Sequence, residues 1–172
     1  MTITTAPIFE VAKIADLSPG DLFCTSSDGL NELSLFFLQT QEMGAKTHRV
    51  VISTNSDDLE FTLAGREFWP DEDVLRIPTP ELRVDKFGGD GSFSSFVTLE
   101  DAELGQILFT SQGPGLVSET KGRDGTKLLF GLANGEILRS VNTAVPWPSA
   151  SDWSLVQGLG VSSVVIHSRT TS

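Results

Sequence analysis

The chain has few of the residues on which many catalytic and metal-binding sites depend. Its 172 residues include one cysteine, two histidines and no tyrosine. Because Cys24 is alone, it cannot form an intrachain disulfide or supply a cysteine-based zinc cluster. His48 and His167 are too few for the histidine-rich metal sites of β-barrel enzymes. We therefore predict no cofactor, and the sequence assigns no metal ligands.

Basic residues are also scarce. Lys and Arg number 12, and Asp and Glu number 23, which leaves a formal net charge of −11. Because the basic residues are scattered along the chain, its average field repels nucleic acid and anionic lipid. We predict a protein partner instead, and a basic surface on that partner would be electrostatically favoured.

Long apolar runs are missing as well. The longest, "LSLFFL" at 33–38, is far below the roughly 18 residues of a membrane-spanning helix. The N-terminal "MTITTAPIFEVAK" has neither the basic nor the apolar region of a secretory signal peptide. From these absences we expect a cytoplasmic protein that does not enter a membrane.

The chain does contain abundant strand signal. Short runs rich in Val, Ile, Leu, Phe and Thr are separated by Gly, Pro, Asp and Ser, as in strands joined by tight turns. Asp124-Gly125 and Asn134-Gly135 each separate two such runs, and both pairs suit the type I′ turns of antiparallel hairpins. They predict a three-stranded meander over 116–142. The predicted fold is mainly β, an antiparallel sandwich or barrel with one or two short helices.

Two segments leave the secondary structure open. Residues 28–44, "DGLNELSLFFLQTQEMG", fit either a strand of alternating apolar residues or a helix that ends at Gly44. We favour the strand. Residues 98–105, "TLEDAELG", fit one or two helical turns capped by Thr98.

A short sequence occurs twice in the chain. "GDLFCTS" at 20–26 resembles "GQILFTS" at 105–111, at an offset of 85 residues. We predict two related β units, residues 8–80 and 93–172, produced by tandem duplication and related by pseudo-twofold symmetry. Independent reuse of a glycine turn followed by a strand would give the same short match.

The two Trp-Pro pairs are the leading candidates for binding. Trp69-Pro70 and Trp147-Pro148 occupy the same place in the order of features in the two halves. Proline holds the residue before it in an extended conformation, which suits a loop that presents an indole ring. Such a ring anchors a protein partner or stacks on a sugar at little entropic cost. We predict that these four residues form binding loops, with core packing as the other role open to them.

A complete catalytic group is harder to find in the sequence. Ser92 lies in a glycine-rich segment without the Gly-x-Ser-x-Gly motif, and the place of Cys24 beside Phe23 favours a core position. The leading hypothesis is a non-catalytic β protein, either a structural or assembly subunit or a protein-binding module, that forms homo-oligomers. The alternative is a carboxylate-dependent hydrolase acting on a carbohydrate, based on acidic clusters at 57–60 and 71–73.

Overall fold

The protein is built from short strands, as the sequence predicts. The computed structural model describes residues 8–26, 33–38, 49–53, 60–64, 69–84, 95–120, 125–158 and 163–170. The first half contains β1 (Glu10–Lys13), a 3-10 helix (Ile14–Asp16), β2 (Leu22–Ser26), β3 (Leu33–Leu38), β4 (Arg49–Ser53), β5 (Thr62–Ala64), β6 (Asp73–Ile77) and β7 (Pro80–Val84). The second half contains β8 (Ser95–Val97), β9 (Ile107–Thr110), β10 (Gly113–Thr120), β11 (Lys127–Gly131), β12 (Trp147–Ala150), β13 (Trp153–Gln157) and β14 (Val164–Arg169). The mainly β fold class is confirmed.

The described strands form two sheets. The larger has eleven strands in the order β1-β6-β2-β3-β4-β5-β10-β9-β12-β8, with β11 paired to β10. The smaller has the order β14-β13-β7. Nearly all pairs are antiparallel, and within the described residues the larger sheet runs from β1 to β8 without closing into a barrel.

Five strands in each half of the chain follow the same order. The first half runs β1-β6-β2-β3-β4, and the second runs β8-β12-β9-β10 with β11 beside β10. Each strand of the first series therefore has a counterpart in the second, in the same position along the chain. Every pair in both series is antiparallel.

The pairing register also agrees between the halves. Leu22 of β2 pairs with Ile77 of β6, and Ile107, 85 positions after Leu22, pairs with Ala150 of β12. At the edges, Val11 of β1 pairs with Leu75, and its counterpart Phe96 of β8, at the same offset of 85, pairs with Pro148. A one-residue slip would exchange the two faces of a strand, so this agreement keeps equivalent side chains on equivalent faces.

The turn before β2 and the turn before β9 have the same pattern of hydrogen bonds. In turn 18–21 the Asp21 N–H donates to the Ser18 carbonyl at 3.0 Å, and the Ser18 N–H donates to the Asp21 carboxylate at 2.9 Å. In turn 103–106 the Gln106 N–H donates to the Glu103 carbonyl at 3.1 Å, and the Glu103 N–H donates to the Gln106 side-chain oxygen at 3.0 Å. Both turns need a glycine, because Gly20 has a φ of 90° and Gly105 a φ of 78°.

The halves meet along two strand pairs. β7 pairs with β13, and Leu82 lies opposite Leu155 at the centre of this pairing. Two further residue pairs lie on each side of this central pair. β5 of the first half lies parallel to β10 of the second, with Thr62 opposite Glu119. Leu155 follows Leu82 by the same 73 positions that separate Ile77 from Ala150.

The main core fills the junction between the halves. It contains residues from both sheets, including the counterparts Leu22 and Ile107, which are fully buried. The other members are Cys24, Phe61, Ile77, Leu116, Phe130, Trp153 and Leu155. A second core lies on the other face of the second half, with Leu99, Ala102, Leu108, Val117, Leu129 and Val141. Sheets that share a buried face in this way have the packing of a β-sandwich.

Some local predictions are confirmed. Residues 33–38 of the ambiguous segment form β3, and the rest of that segment lies outside the described residues. In β11, Leu128 and Phe130 face the main core while Leu129 faces the second core, because side chains alternate between the two faces of a strand. The chain packs closely against β11 at Gly131, where an added Cβ would lie 2.9 Å from Leu138.

Other local predictions are wrong. The third strand of the meander is reduced to one bridge between Phe130 and Ile137. The turn at Asn134-Gly135 is not type I′, because only Gly135 has a positive φ, while the Asn134 side chain accepts a hydrogen bond from the Glu136 N–H at 3.2 Å. Residues 98–105 form a capped turn rather than a helix. Here the Ala102 N–H donates to the Thr98 carbonyl, but the chain leaves the helical path directly afterwards.

Candidate functional site

Trp69 lies at the start of an exposed turn that is fixed to the sheet. Its side chain is 73% exposed. The Glu72 N–H donates to the Trp69 carbonyl at 3.0 Å, which closes the turn. The N–H groups of Ile14 and Ala15 donate to the carbonyls of Glu72 and Pro70 at 3.1 and 3.0 Å. Because Ile14 is buried, the turn of residues 69–72, which we call the Trp69 turn, has a rigid support.

The surroundings of the Trp69 turn are acidic. Asp71 and Glu72 belong to the turn, Asp73 follows it, and Asp16 is adjacent to the supporting Ala15. Among the described residues, Lys13 lies close to the turn, and its Nζ forms an ion pair with Asp73 at 2.6 Å. Both partners of that pair are exposed, so it contributes little to stability. The described residues near the exposed indole ring therefore carry a net negative charge.

The second Trp-Pro pair lies in a strand and not in a loop. Trp147 and Pro148 begin β12, and Trp147 is half-buried against the second core. The Trp147 Nε1 donates to the Asn142 carbonyl at 3.0 Å, which fixes the ring against its own chain. By register, Trp147 is the counterpart of Val74 and not of Trp69. The predicted equivalence of the two pairs is therefore wrong, and a binding role for Trp147 and Pro148 stays a prediction.

Trp153 is a core residue. It is 1% exposed, and its Nε1 donates to the Gly105 carbonyl at 2.7 Å. Its ring makes an edge contact with Phe61, at a centroid distance of 6.2 Å, and a tilted contact with His167, at 5.6 Å. These contacts join β13, β14 and the turn before β9.

The titratable residues considered for catalysis have buried surroundings or lie outside the described part. Burial raises the pKa of the Cys24 thiol to about 11, so the reactive thiolate is scarce at neutral pH. Burial lowers the pKa of His167 below 6.5. His48 and Ser92 lie outside the described residues. Cys24 therefore has the properties of a core residue and not of a nucleophile.

An open pocket with a volume of about 710 Å³ lies beside the turn at 98–101. Asp101 accepts a hydrogen bond from the Thr98 hydroxyl at 2.7 Å. Lys127 donates through Nζ to the carbonyls of Glu100 and Ala102 at 2.6 and 2.7 Å. These groups stabilise the turn itself.

Metal ligands do not gather in the described part of the chain, where no group of three or more His, Cys, Asp or Glu residues has a suitable arrangement. The acidic cluster predicted at 57–60 lies outside this part except for Glu60. Among the described residues, no helix has the length and apolar character needed to cross a membrane.

Comparison of the chain with protein families, curated proteins and solved structures gives no match. Inferences about function therefore depend on the residues described above.

Proposed function

We propose that the protein is a non-catalytic assembly or protein-binding subunit that contacts a basic protein partner through the Trp69 turn. The observation that carries the proposal is the 73% exposure of a tryptophan on a turn that the sheet holds in place. An indole ring on a rigid support supplies a large contact area at low entropic cost. Trp147 and Trp153 lack this combination, because Trp147 is half-buried and Trp153 is buried. The indole N–H of each donates to a carbonyl of its own chain.

The charge near the turn supports a basic partner. Asp71 belongs to the turn, Asp16 follows the supporting Ala15, and both are exposed, while the whole chain has a net charge of −11. An Arg or Lys of the partner could lie over the indole face while its charge is balanced by the carboxylates, an arrangement worth about 0.5 to 1 kcal/mol at an exposed site. Such a charge distribution also speeds association with basic proteins and slows it with acidic ones.

Site-specific photocrosslinking would test this proposal. A photoreactive amino acid placed at Trp69 should give a covalent adduct with one protein from the native cell extract. The matched control is the same substitution at Val165, another exposed apolar residue, on β14. Trp69→Ala should then weaken binding of the purified partner at least tenfold, or about 1.4 kcal/mol. Identical adduct patterns at the two positions would contradict the proposal.

We also propose that the chain arose by tandem duplication of one β unit. The matching strand order, registers and glycine turns of the two halves support this origin. Reuse of one turn would explain a short sequence match, but it would not reproduce five strands in the same order, three of them with matching register. The junction between such units is filled by the buried side chains of the main core, which argues against a binding site there.

The alternative of a carbohydrate hydrolase stays a prediction. Its acidic candidates in the described part are Glu60 and residues 71–73. Asp71 and Asp73 lie on an exposed turn and strand end, and Asp73 forms an ion pair with Lys13. Hydrolysis of a polysaccharide by the purified protein, lost in Asp71→Asn, would favour this alternative over the binding function.

A further inference from the structure

The larger sheet has two end strands, and they occupy equivalent places in the two halves. β1 ends the sheet on one side and β8 on the other, within the described residues. Each exposes one large apolar side chain at the equivalent position. Val11 is 75% exposed and Phe96 is 63% exposed. The two edges therefore form a natural comparison within one molecule.

Among the described residues, β8 pairs with β12 alone, and its outer edge offers backbone groups at Phe96. In an antiparallel pair, residues alternate between those that bond to the neighbouring strand and those whose N–H and C=O point away from it. Phe96 lies opposite Pro148, which has no N–H to donate. The pair is therefore of the non-hydrogen-bonded kind, so the N–H and C=O of Phe96 point toward the free side of β8.

The two edges differ in charge. β8 consists of the uncharged residues Ser95, Phe96 and Val97, whereas β1 contains Glu10 and Lys13. Charged residues, lysine above all, protect edge strands against pairing with other chains. β1 thus has this protection and β8 lacks it. In a protein with a net charge of −11, an uncharged edge is also the place where two copies can approach with the least repulsion.

We propose that β8 is a self-association edge, at which a second copy of the chain pairs its own β8 in antiparallel orientation. A twofold axis perpendicular to the sheet places a residue opposite itself, and Phe96 satisfies this condition as the centre of β8. The two Phe96 residues exchange two backbone hydrogen bonds, and their rings lie side by side on one face. Ser95 lies opposite Val97 of the second copy. No charged residue of β8 faces another.

This inference goes beyond the binding function of the Trp69 turn and does not depend on it. A three-residue strand pair is a small contact, so the expected dimer is weak and its detection needs high protein concentrations. Trp69 lies in the turn before β6 and Phe96 lies on β8, and these two strands are near opposite ends of the sheet order. Loss of one interaction is therefore expected to leave the other unchanged.

Disulfide trapping tests the register directly. Residues in a hydrogen-bonded antiparallel pair have Cα atoms about 5.5 Å apart, which is within the range of disulfides. Phe96→Cys should therefore form a covalent dimer under mild oxidation, whereas the matched control Val11→Cys should remain monomeric. Cys24 is buried and does not interfere. Equal crosslinking of the two variants, or a crosslink that forms only when they are mixed, would overturn the proposal.

Sedimentation equilibrium of the unmodified protein gives a second test. Over about 10 µM to 1 mM, the wild type should show a monomer–dimer equilibrium, and Phe96→Lys should weaken it at least tenfold. Val11→Lys should leave the dissociation constant unchanged, and so should Trp69→Ala. A monomeric wild type over this whole range, or an equal effect of the two lysines, would contradict the proposal. Circular dichroism of each variant checks that the fold is retained.

Discussion

Turn 18–21 and turn 103–106 share their backbone hydrogen bonds but differ in what surrounds them. At Gly20 an added Cβ would lie 3.4 Å from the Gly135 nitrogen, which is a tolerable contact. At Gly105 it would lie 2.5 Å from the Phe61 ring and 2.8 Å from Arg169. The comparison shows that local sequence determines the conformation of the turn, whereas the surrounding chain determines how much the fold depends on it.

Substitution of the two glycines separates these contributions most clearly. Gly20→Ala should lower the free energy of unfolding by about 1 to 2 kcal/mol, because alanine is strained at a positive φ. Gly105→Ala should lower it by about 4 kcal/mol, because the methyl group also collides with Phe61. Urea denaturation measures both. Equal losses would show that the surroundings of turn 103–106 can adjust, and the comparison would then fail.

The two tryptophans of the Trp-Pro pairs provide the next largest contrast. Trp147→Ala should cost about 2 kcal/mol, because it removes a half-buried ring from the second core. Trp69→Ala should change the free energy of unfolding by less than about 0.5 kcal/mol, as expected for an exposed side chain. Thermal unfolding of the two variants checks this order, and a large loss in Trp69→Ala would place that ring in the core.

The side chains that close the two turns allow a finer comparison. Asp21→Ala and Gln106→Ala each remove an acceptor for a backbone N–H, at a cost of about 1 kcal/mol. Gln106 is buried and also donates to the Ser151 hydroxyl at 2.8 Å, so its loss should exceed that of Asp21 by roughly 1 kcal/mol. Urea denaturation should show this order. The reverse order would indicate that the contact of Asp21 with Arg76 contributes more than its 3.4 Å distance suggests.

The smallest expected effect concerns β14, which lies beyond the strands that match between the halves. Because burial lowers the pKa of His167 in the folded protein, the unfolded chain takes up a proton first as the pH falls below 6.5. The free energy of unfolding should therefore decrease from that pH downward and level off below the folded-state pKa. His167→Gln should reduce this dependence, as measured by the difference from wild type between pH 7 and pH 5. Identical profiles would contradict the prediction.

Much of the fold could be predicted from the sequence because its signals are local. Gly20 and Gly105 each mark a turn, and the alternation in β11 shows which side chains share a face. Pairing between distant strands leaves no such local signal. The sequence could not show that Leu82 lies opposite Leu155, or that Val74 is the counterpart of Trp147.

The candidate site was harder to predict for a related reason. Trp69-Pro70 and Trp147-Pro148 are locally alike, and each proline favours an extended residue before it. Their different exposure depends on the second core, which gathers residues from several strands around Trp147 but not around Trp69. Local sequence thus identifies both rings as candidates, and tertiary packing decides between them.

The pairing of strands across the two halves has a consequence for folding during synthesis. β5 of the first half pairs with β10, and β7 pairs with β13 near the end of the chain. When residues 62–64 and 80–84 leave the ribosome, β5 can already pair with β4, but the partner strands of β5 and β7 in the second half have not been synthesised. One edge of β5 and one of β7 therefore stay without their partner strands until β10 and β13 are synthesised. In this state aggregation competes with folding. Slower translation of the second half should accordingly lower the yield of folded protein.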